Sequence, residues 1–138
     1  MAIEIKVSFR IMGHDIEPRE ISHLLGLEPT MSHKRGDVRI GRTAERYSAY
    51  SEGLWSWCPD TAKTAPLADH LRALIDALEA KEEALRQLRG MGLRTDVFIG
   101  VFGSDGNFGF ALNSEVLERL GQLRVALDFD IYDVYAVS

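Results

Sequence analysis

The residues best suited to chemistry fall into two charged groups, and the first is a basic segment followed by tryptophans. Its members are His33, Lys34, Arg35, Asp37, Arg39, Arg42 and Arg46, with Trp55 and Trp57 after them. Guanidinium groups in a loop can clamp phosphate or carboxylate, and an indole can stack on a base or ring. A charge run is more often a solvated loop, here with a tryptophan in the core, and we favour that interpretation.

The second group is acidic and lies near the end of the chain. Asp128 and Asp130 are two residues apart on a predicted strand, so their side chains share one face, and Asp133 follows them. Such a pair can hold a hard metal ion, act as an acid–base pair or meet Arg35 or Arg39 across a sheet. More often it keeps a strand face wet and deters aggregation. Since no further carboxylates cluster at loop spacing, we predict no metal site.

Histidine and cysteine give no catalytic pattern. None of the four histidines lies three or four residues from another, as a zinc-binding helix would require. Cys58 ends a predicted strand, and His70 can approach it in a fold, but nothing in the sequence requires this contact. A lone cysteine is usually buried, so we predict a core thiol. We assign no catalytic residue and no cofactor, and the candidate ligand- or partner-binding residues are Lys34, Arg35, Asp37, Arg39, Trp55, Asp128 and Asp130.

Length, charge and cysteine content limit the number of domains, the cellular compartment and the class of partner. A chain of 138 residues, 46% of them hydrophobic, is the size of one ordinary domain, so we predict a single domain over 1–138. The net charge of -5 argues against nonspecific binding to nucleic acid or to an anionic membrane. One cysteine excludes an internal disulfide and fits a reducing compartment, and residues 1–10 contain no unbroken apolar run. We therefore predict a cytoplasmic protein without a membrane partner.

The strands that must position the two groups are indicated by period-two alternation at both ends of the chain. The alternating apolar residues are Ile3, Ile5, Val7, Phe9 and Ile11 at the start, and Val125, Leu127, Phe129 and Ile131 at the end. This pattern predicts two strands that each bury one face and leave the other available to a partner. We therefore expect Phe9 and Phe129 in the core.

Proline, asparagine and glycine mark three helices. The predicted spans are Pro18–Leu25 ended by Gly26, a long helix opened by Pro66 with a break near Ala80 and Lys81, and a third helix capped by Asn113 or Ser114 and ended by Gly121. Further strands are predicted over 54–58, 97–102 and 108–112, the last two joined by a hairpin turn at Asp105-Gly106.

Residues 28–51 lack a clear period and are predicted to form a long loop, in which Val38 and Ile40 allow a short strand without requiring one. The remaining elements predict helices on one face of a mainly antiparallel sheet. This is an α+β two-layer sandwich with a ferredoxin-like arrangement.

Several short motifs occur together in a distinctive order. They are Phe9-Arg10-Ile11, Glu17-Pro18, residues 25–30, Lys34-Arg35-Gly36-Asp37, residues 53–56 and residues 128–132. In this order the chain resembles domain-of-unknown-function family 4279, a family of small bacterial proteins. The family pattern has Lys-Gly-Asp where this chain has Arg35-Gly36-Asp37, preceded by Lys34. The resemblance implies a small single-domain bacterial protein and brings no activity, cofactor or catalytic residue.

The patterns favour binding over catalysis, because no catalytic spacing is present, whereas an exposed sheet face and a long charged loop are predicted. We therefore favour a non-enzymatic protein-binding module, for example an immunity-type protein that neutralises a bacterial toxin. The alternative is a small-ligand-binding protein or enzyme that uses the basic loop and the acidic strand pair around one pocket. Exposed strand edges also allow a homodimer. Nucleic-acid binding is the least favoured class because the chain is acidic.

Overall fold

Seven strands and four helices make up the computed structural model, which describes residues 3–40, 46–103 and 106–134. The strands are β1 (Glu4–Gly13), β2 (Met31–His33), β3 (Arg39–Ile40), β4 (Arg46–Tyr47), β5 (Gly53–Trp57), β6 (Arg94–Gly103) and β7 (Ala126–Asp133). The helices are α1 (Pro18–Leu25), α2 (Leu67–Glu79), α3 (Glu82–Gly90) and α4 (Ser114–Leu123). The predicted α+β class is confirmed. The predicted break near Ala80 and Lys81 is also confirmed, because it separates α2 from α3.

Five of the strands form one sheet in the order β2-β5-β1-β6-β7, while β3 and β4 form a separate antiparallel pair. β2 pairs antiparallel with β5, whereas β6 and β7 are parallel, so the five-stranded sheet is mixed. The parallel pair is joined by α4, as expected because parallel neighbours need a crossover connection and a helix usually supplies it. The ferredoxin-like arrangement stays a prediction.

Residue contacts divide the chain into two compact units. Unit 1 comprises Met1–Phe9, Cys58–Glu82 and Asp96–Ser138, and unit 2 comprises Arg10–Trp57 and Glu83–Thr95. The prediction of a single domain over 1–138 stays a prediction, and the two units are described separately below.

The core of unit 1 is built from apolar residues at strand and helix spacing. Its buried side chains include Ile5, Val7 and Phe9 of β1, Leu71, Leu74 and Ile75 of α2, Val97, Ile99 and Val101 of β6, and Val116 and Leu120 of α4. The strand residues alternate and the helix residues recur every three or four positions, so each element presents one apolar face. Burial of Phe9 is therefore confirmed.

Helix α4 is fixed at its start and to α2. The Asn113 side chain accepts a hydrogen bond from the Val116 backbone N–H at 3.0 Å, which confirms the predicted cap. The Arg119 guanidinium lies 2.7 Å from the Asp76 carboxylate and 2.6 Å from the Glu79 carboxylate, so one cation joins the two helices. The predicted end at Gly121 is wrong, because the helix runs to Leu123 and Arg124 takes the left-handed conformation with φ 56.

Two further predictions for the last third of the chain are wrong. Residues 106–113 form no strand, so the predicted strand over 108–112 is absent; Asp105 of the predicted hairpin turn lies outside the described residues. β7 forms as predicted, but its apolar face is not buried. Phe129 is 47% exposed and Ile131 is 58% exposed, because β7 ends the strand order and has one strand neighbour, β6, in the described sheet.

Unit 2 contains α1, the β2–β5 pair, the short β3–β4 pair and α3. Helix α1 begins and ends as predicted, with Gly26 in the left-handed conformation at φ 65. β2 was not predicted, whereas β3 includes Ile40, where the sequence allowed a short strand without requiring one. Gly53 opens β5 at a close approach, since a Cβ there would lie 1.7 Å from Cγ2 of the buried Ile16.

Candidate functional site

A cavity of about 460 Å³ lies in unit 1, and its lining includes acidic, basic, cysteine, histidine and aromatic residues. It is lined by β1, by the segment that follows β5, by the first turn of α2 and by β6; the members that matter below are Glu4, Lys6, Cys58, Lys63, His70 and Phe102. The segment is attached to β1, because the Ile5 backbone N–H donates to the Lys63 carbonyl at 2.8 Å. A volume of this size is typical of small-molecule sites.

Cys58 lines this cavity and is half-buried rather than a core thiol. Its Sγ lies 3.1 Å from Oγ of Ser8, and either atom can be the donor. A nucleophilic cysteine needs a base that takes its proton, and a hydroxyl group is not such a base. The contact with Ser8 therefore gives the thiol a hydrogen-bond partner without activating it.

His70 lines the same cavity from the first turn of α2 and is 3% exposed. Its Nε2 is buried and has no hydrogen-bond partner among the described residues. Burial lowers the pKa of His70 because the charged imidazolium loses hydration, while hydrogen bonds with the backbone of Ala65 and Ala62 and the charge of Asp69 act in the opposite direction. His70 is therefore uncharged at neutral pH.

Phe102 forms the aromatic wall of the cavity and connects it to β7. Its ring stacks on the Tyr132 ring with centroids 4.9 Å apart and planes 5° apart. The Tyr132 hydroxyl donates a hydrogen bond to the Asp130 carboxylate, which raises the pKa of Tyr132 because ionisation would place two negative charges together. Asp130, a predicted site residue, thus belongs to a contact chain that reaches the cavity wall.

The register of β6 and β7 places Asp128 opposite Phe98 and Asp130 opposite Gly100. The two carboxylates therefore lie on one face of β7, as predicted. Leu127, Phe129 and Ile131 lie on the other face of β7, in register with buried residues of β6. This second face is apolar and only partly covered.

The basic segment of unit 2 is held by local contacts. The Lys34 backbone N–H donates to the Asp37 carboxylate at 2.8 Å, and Lys34 Nζ lies 2.9 Å from the Glu17 carboxylate. The hydrogen bond between the Lys34 and Glu17 side chains lowers the pKa of Glu17 and raises the pKa of Lys34. Arg35 lies 3.4 Å from the Asp15 carboxylate. The four side chains of the two ion pairs are 39% to 82% exposed, so these pairs orient the segment and contribute little to stability.

Aromatic rings also neighbour the basic segment. The His33 and Tyr50 rings stack with centroids 3.4 Å apart, and the Arg39 guanidinium lies 5.4 Å from the Tyr50 ring centroid. Burial lowers the pKa of His33. Trp55 is fully buried and its Nε1 donates to the Ser22 hydroxyl at 3.0 Å, so its indole belongs to the core and has no exposed face for stacking.

The structure brings some predicted site residues together. Lys34 and Asp37 are in contact, and Asp128 and Asp130 share a face. The basic group and Trp55 belong to unit 2 and the acidic pair to unit 1. Arg42 lies outside the described residues. The functional roles of the seven predicted site residues stay predictions.

Lys6, Lys63 and Phe102 line the cavity and were not selected from the sequence. Lys6 is one of the polar residues in the alternation of β1, and Lys63 stands in a segment without periodicity. The pair Cys58 and His70 bears on this site, and the sequence allows their approach without requiring it. A cavity depends on which segments meet in space, and residue types alone do not give that.

Comparison with known proteins gives one result. A family model described as Domain of unknown function (DUF4279) matches residues 3–134 of the chain. Comparison with curated proteins and with solved structures gives no match. Within residues 3–40, 46–103 and 106–134, no helix combines the length and the apolar character needed to cross a membrane.

Proposed function

The chain therefore belongs to the family described as Domain of unknown function (DUF4279), and on that premise we propose that it is a non-enzymatic protein-binding module. One observation carries the proposal: Phe129 and Ile131 of β7 are 47% and 58% exposed, although they are in register with buried residues of β6. An apolar face that continues a buried one and then meets solvent is typical of an interaction surface. We call the outer edge and the apolar face of β7 the β7 surface.

The backbone of β7 supports the same proposal. In the described sheet β7 pairs with β6 alone, so no described strand lies along its outer edge. An extended segment of another protein can add to such an edge as a further strand, with main-chain hydrogen bonds giving affinity and side-chain contacts giving specificity. The added segment would also cover Phe129 and Ile131.

Charge favours a basic partner over a second copy of this chain. β7 carries Asp128, Asp130 and Asp133, and the whole chain has a net charge of -5. Antiparallel pairing of β7 with its own copy brings aspartates of the two strands close together, and opposed like charges destabilise a strand pair. The occupant we propose is an extended segment in which basic residues alternate with apolar ones.

One concrete form of this function is an immunity-type protein that works in the bacterial cytoplasm. A toxin encoded beside this gene would then be the partner, and its contact segment would be basic. Co-expression of that toxin with the parent protein should restore growth, and co-expression with an Asp128→Lys variant should not. Restoration by both proteins would place the contact elsewhere than the β7 surface.

The surface itself is tested with a defined probe. We expect a fluorescein-labelled peptide that alternates lysine and valine to bind the parent protein, with its anisotropy rising in a saturable manner at low salt. Ile131→Glu should weaken binding about tenfold or more, which corresponds to about 1.4 kcal/mol. Met91→Glu is the matched control, because Met91 is 54% exposed and lies in the turn after α3.

Two further peptides separate strand pairing from general attraction to an acidic protein. A block peptide with the same lysines and valines, all lysines first, should bind more weakly, and a peptide with glutamate in place of lysine should not bind. Equal binding of the block and alternating peptides contradicts pairing at β7. Self-association of the parent protein, abolished by Ile131→Glu, would contradict the choice of a basic partner.

A further inference from the structure

The cavity beside Cys58 has the dimensions and lining of a ligand site, and it is separate from the β7 surface. Its volume of about 460 Å³ lies within the range of about 300–1,000 Å³ that small-molecule sites occupy. Ile5, Val7 and Pro59 give it apolar walls, and Thr61 and Cys58 are among its polar residues. Such sites combine largely apolar walls with few polar groups in this way.

The aromatic wall is held in a fixed orientation. The Phe102 ring stacks on Tyr132 with the two planes 5° apart. The edge of the same ring lies over Gly100, where a Cβ would be 3.4 Å from Cε2 of Phe102 and 3.8 Å from the Lys6 carbonyl oxygen. A ring packed in this way loses little freedom when a second planar group lies against it, and aromatic pairs favour offset-stacked or edge-to-face contact.

The charged lining is positive within an acidic chain. Lys6 and Lys63 line the cavity together with one acidic residue, Glu4. Neither lysine forms an ion pair with another residue of the described part of the chain. His70 adds no charge at neutral pH, because burial lowers its pKa. The local excess of positive charge attracts an anionic group, in contrast to the chain as a whole.

From these observations we propose that the cavity binds a small planar organic acid, with its ring against Phe102 and its carboxylate at Lys6 and Lys63. Binding requires no covalent step. The two lysines select the anion, and the apolar and aromatic walls select its flat, hydrophobic body. A neutral ligand of the same shape would keep the second contribution and lose the first.

Cys58 makes the proposal testable without a known ligand, because it is the single cysteine of the chain and lines the same cavity. Benzoate is the probe, and iodoacetamide alkylation of Cys58, followed by mass spectrometry, is the readout. Because only unoccupied protein reacts, benzoate at about ten times its Kd should slow alkylation about tenfold. Benzamide, the neutral analogue, should protect less, and benzylamine, the cationic analogue, should not protect.

Variants separate the contribution of the two lysines to binding from the contribution of the apolar and aromatic walls. The double variant Lys6→Gln and Lys63→Gln should remove the preference for benzoate over benzamide, while Lys81→Gln, a lysine outside the cavity lining, should keep it. Both lining lysines are exposed, so we expect their replacement to leave the fold intact. Phe102→Leu should weaken protection by benzoate and benzamide alike.

Three outcomes would overturn the proposal. They are no protection by benzoate, equal protection by benzoate and benzylamine, and a preference for benzoate over benzamide that survives in the double lysine variant. If Cys58 in the folded protein alkylates too slowly to follow, the amide resonances of Thr61 and Lys63 report the same titration, and their failure to shift with benzoate has the same meaning.

Discussion

Strands β1 and β7 carry the same alternation of apolar and polar residues, yet their apolar faces differ in exposure. Ile5, Val7 and Phe9 are at most 5% exposed, whereas Phe129 and Ile131 are 47% and 58% exposed. β1 has β5 and β6 as neighbours in the sheet order, and β7 has β6 alone. Alternation therefore specifies a strand with two different faces, while the place of the strand in the sheet decides how far its apolar face is covered.

The largest effect that separates the two strands is expected at Phe9. The Phe9 side chain is fully buried, so Phe9→Ala should lower the free energy of unfolding by about 3–5 kcal/mol through lost apolar burial and the cavity left behind. Urea unfolding followed by circular dichroism measures this change. A loss below about 1 kcal/mol would show that β1 is not the buried strand of the pair.

The fold was predictable where one element carries its own signals. The first strand, α1 with Pro18 and Gly26, the break after α2 and the Asn113 cap were all foreseen, because spacing, proline and capping act within a few residues. The strand over 108–112 was predicted wrongly, since a short apolar run interrupted by Gly109 fits an extended segment without ladder partners equally well. The exposure of β7 depends on strand order, which no local pattern contains.

The candidate site was less predictable than the fold. Charge density drew attention to Lys34, Arg35 and Asp37, and the structure shows these side chains in local ion pairs and a hydrogen bond. The cavity joins Cys58 to Lys6 and Phe102, which lie 52 residues before it and 44 residues after it in the sequence. Such a site is specified by tertiary contacts, so sequence spacing alone gives it no signature.

A smaller effect is expected at the cap of α4, the helix that connects β6 to β7. The Asn113 side chain accepts a hydrogen bond from the Val116 N–H, so Asn113→Ala should cost about 1 kcal/mol of unfolding free energy. Asn113→Asp is the matched control, because aspartate keeps the acceptor and should retain most of the stability. Equal losses in both variants would indicate that the cap does not hold the crossover to β7.

The burial of His70 predicts that the free energy of unfolding depends on pH. His70 lines the cavity with Ile5 and Val7, and burial lowers its pKa from the usual value of 6.5. As the pH falls, the unfolded chain therefore binds a proton at His70 before the folded chain does. The contribution of His70 to the free energy of unfolding is present above about pH 6.5 and is lost as the pH falls toward the lower folded-state pKa.

His70→Gln should reduce the difference in unfolding free energy between neutral and mildly acidic pH, measured by urea unfolding at each pH. His33→Gln is the comparison variant, because the pKa of His33 is also lowered by burial, but this side chain is only half-buried. An acid-induced loss that is identical in the parent protein and the His70 variant would contradict the burial of an uncharged imidazole.

The smallest effect is expected on the exposed face of β7, where Ile131→Thr keeps β-branching and removes little buried surface. Because surface substitutions usually change stability by no more than about 0.5 kcal/mol, this variant should unfold close to the parent protein. Val7→Thr, at a residue 2% exposed, is its matched control and should cost about 1–3 kcal/mol, since its hydroxyl enters an apolar interior. If Ile131→Thr cost as much as Val7→Thr, the apolar face of β7 would be covered in solution, and the β7 surface would then be occupied by the chain itself rather than open to a partner.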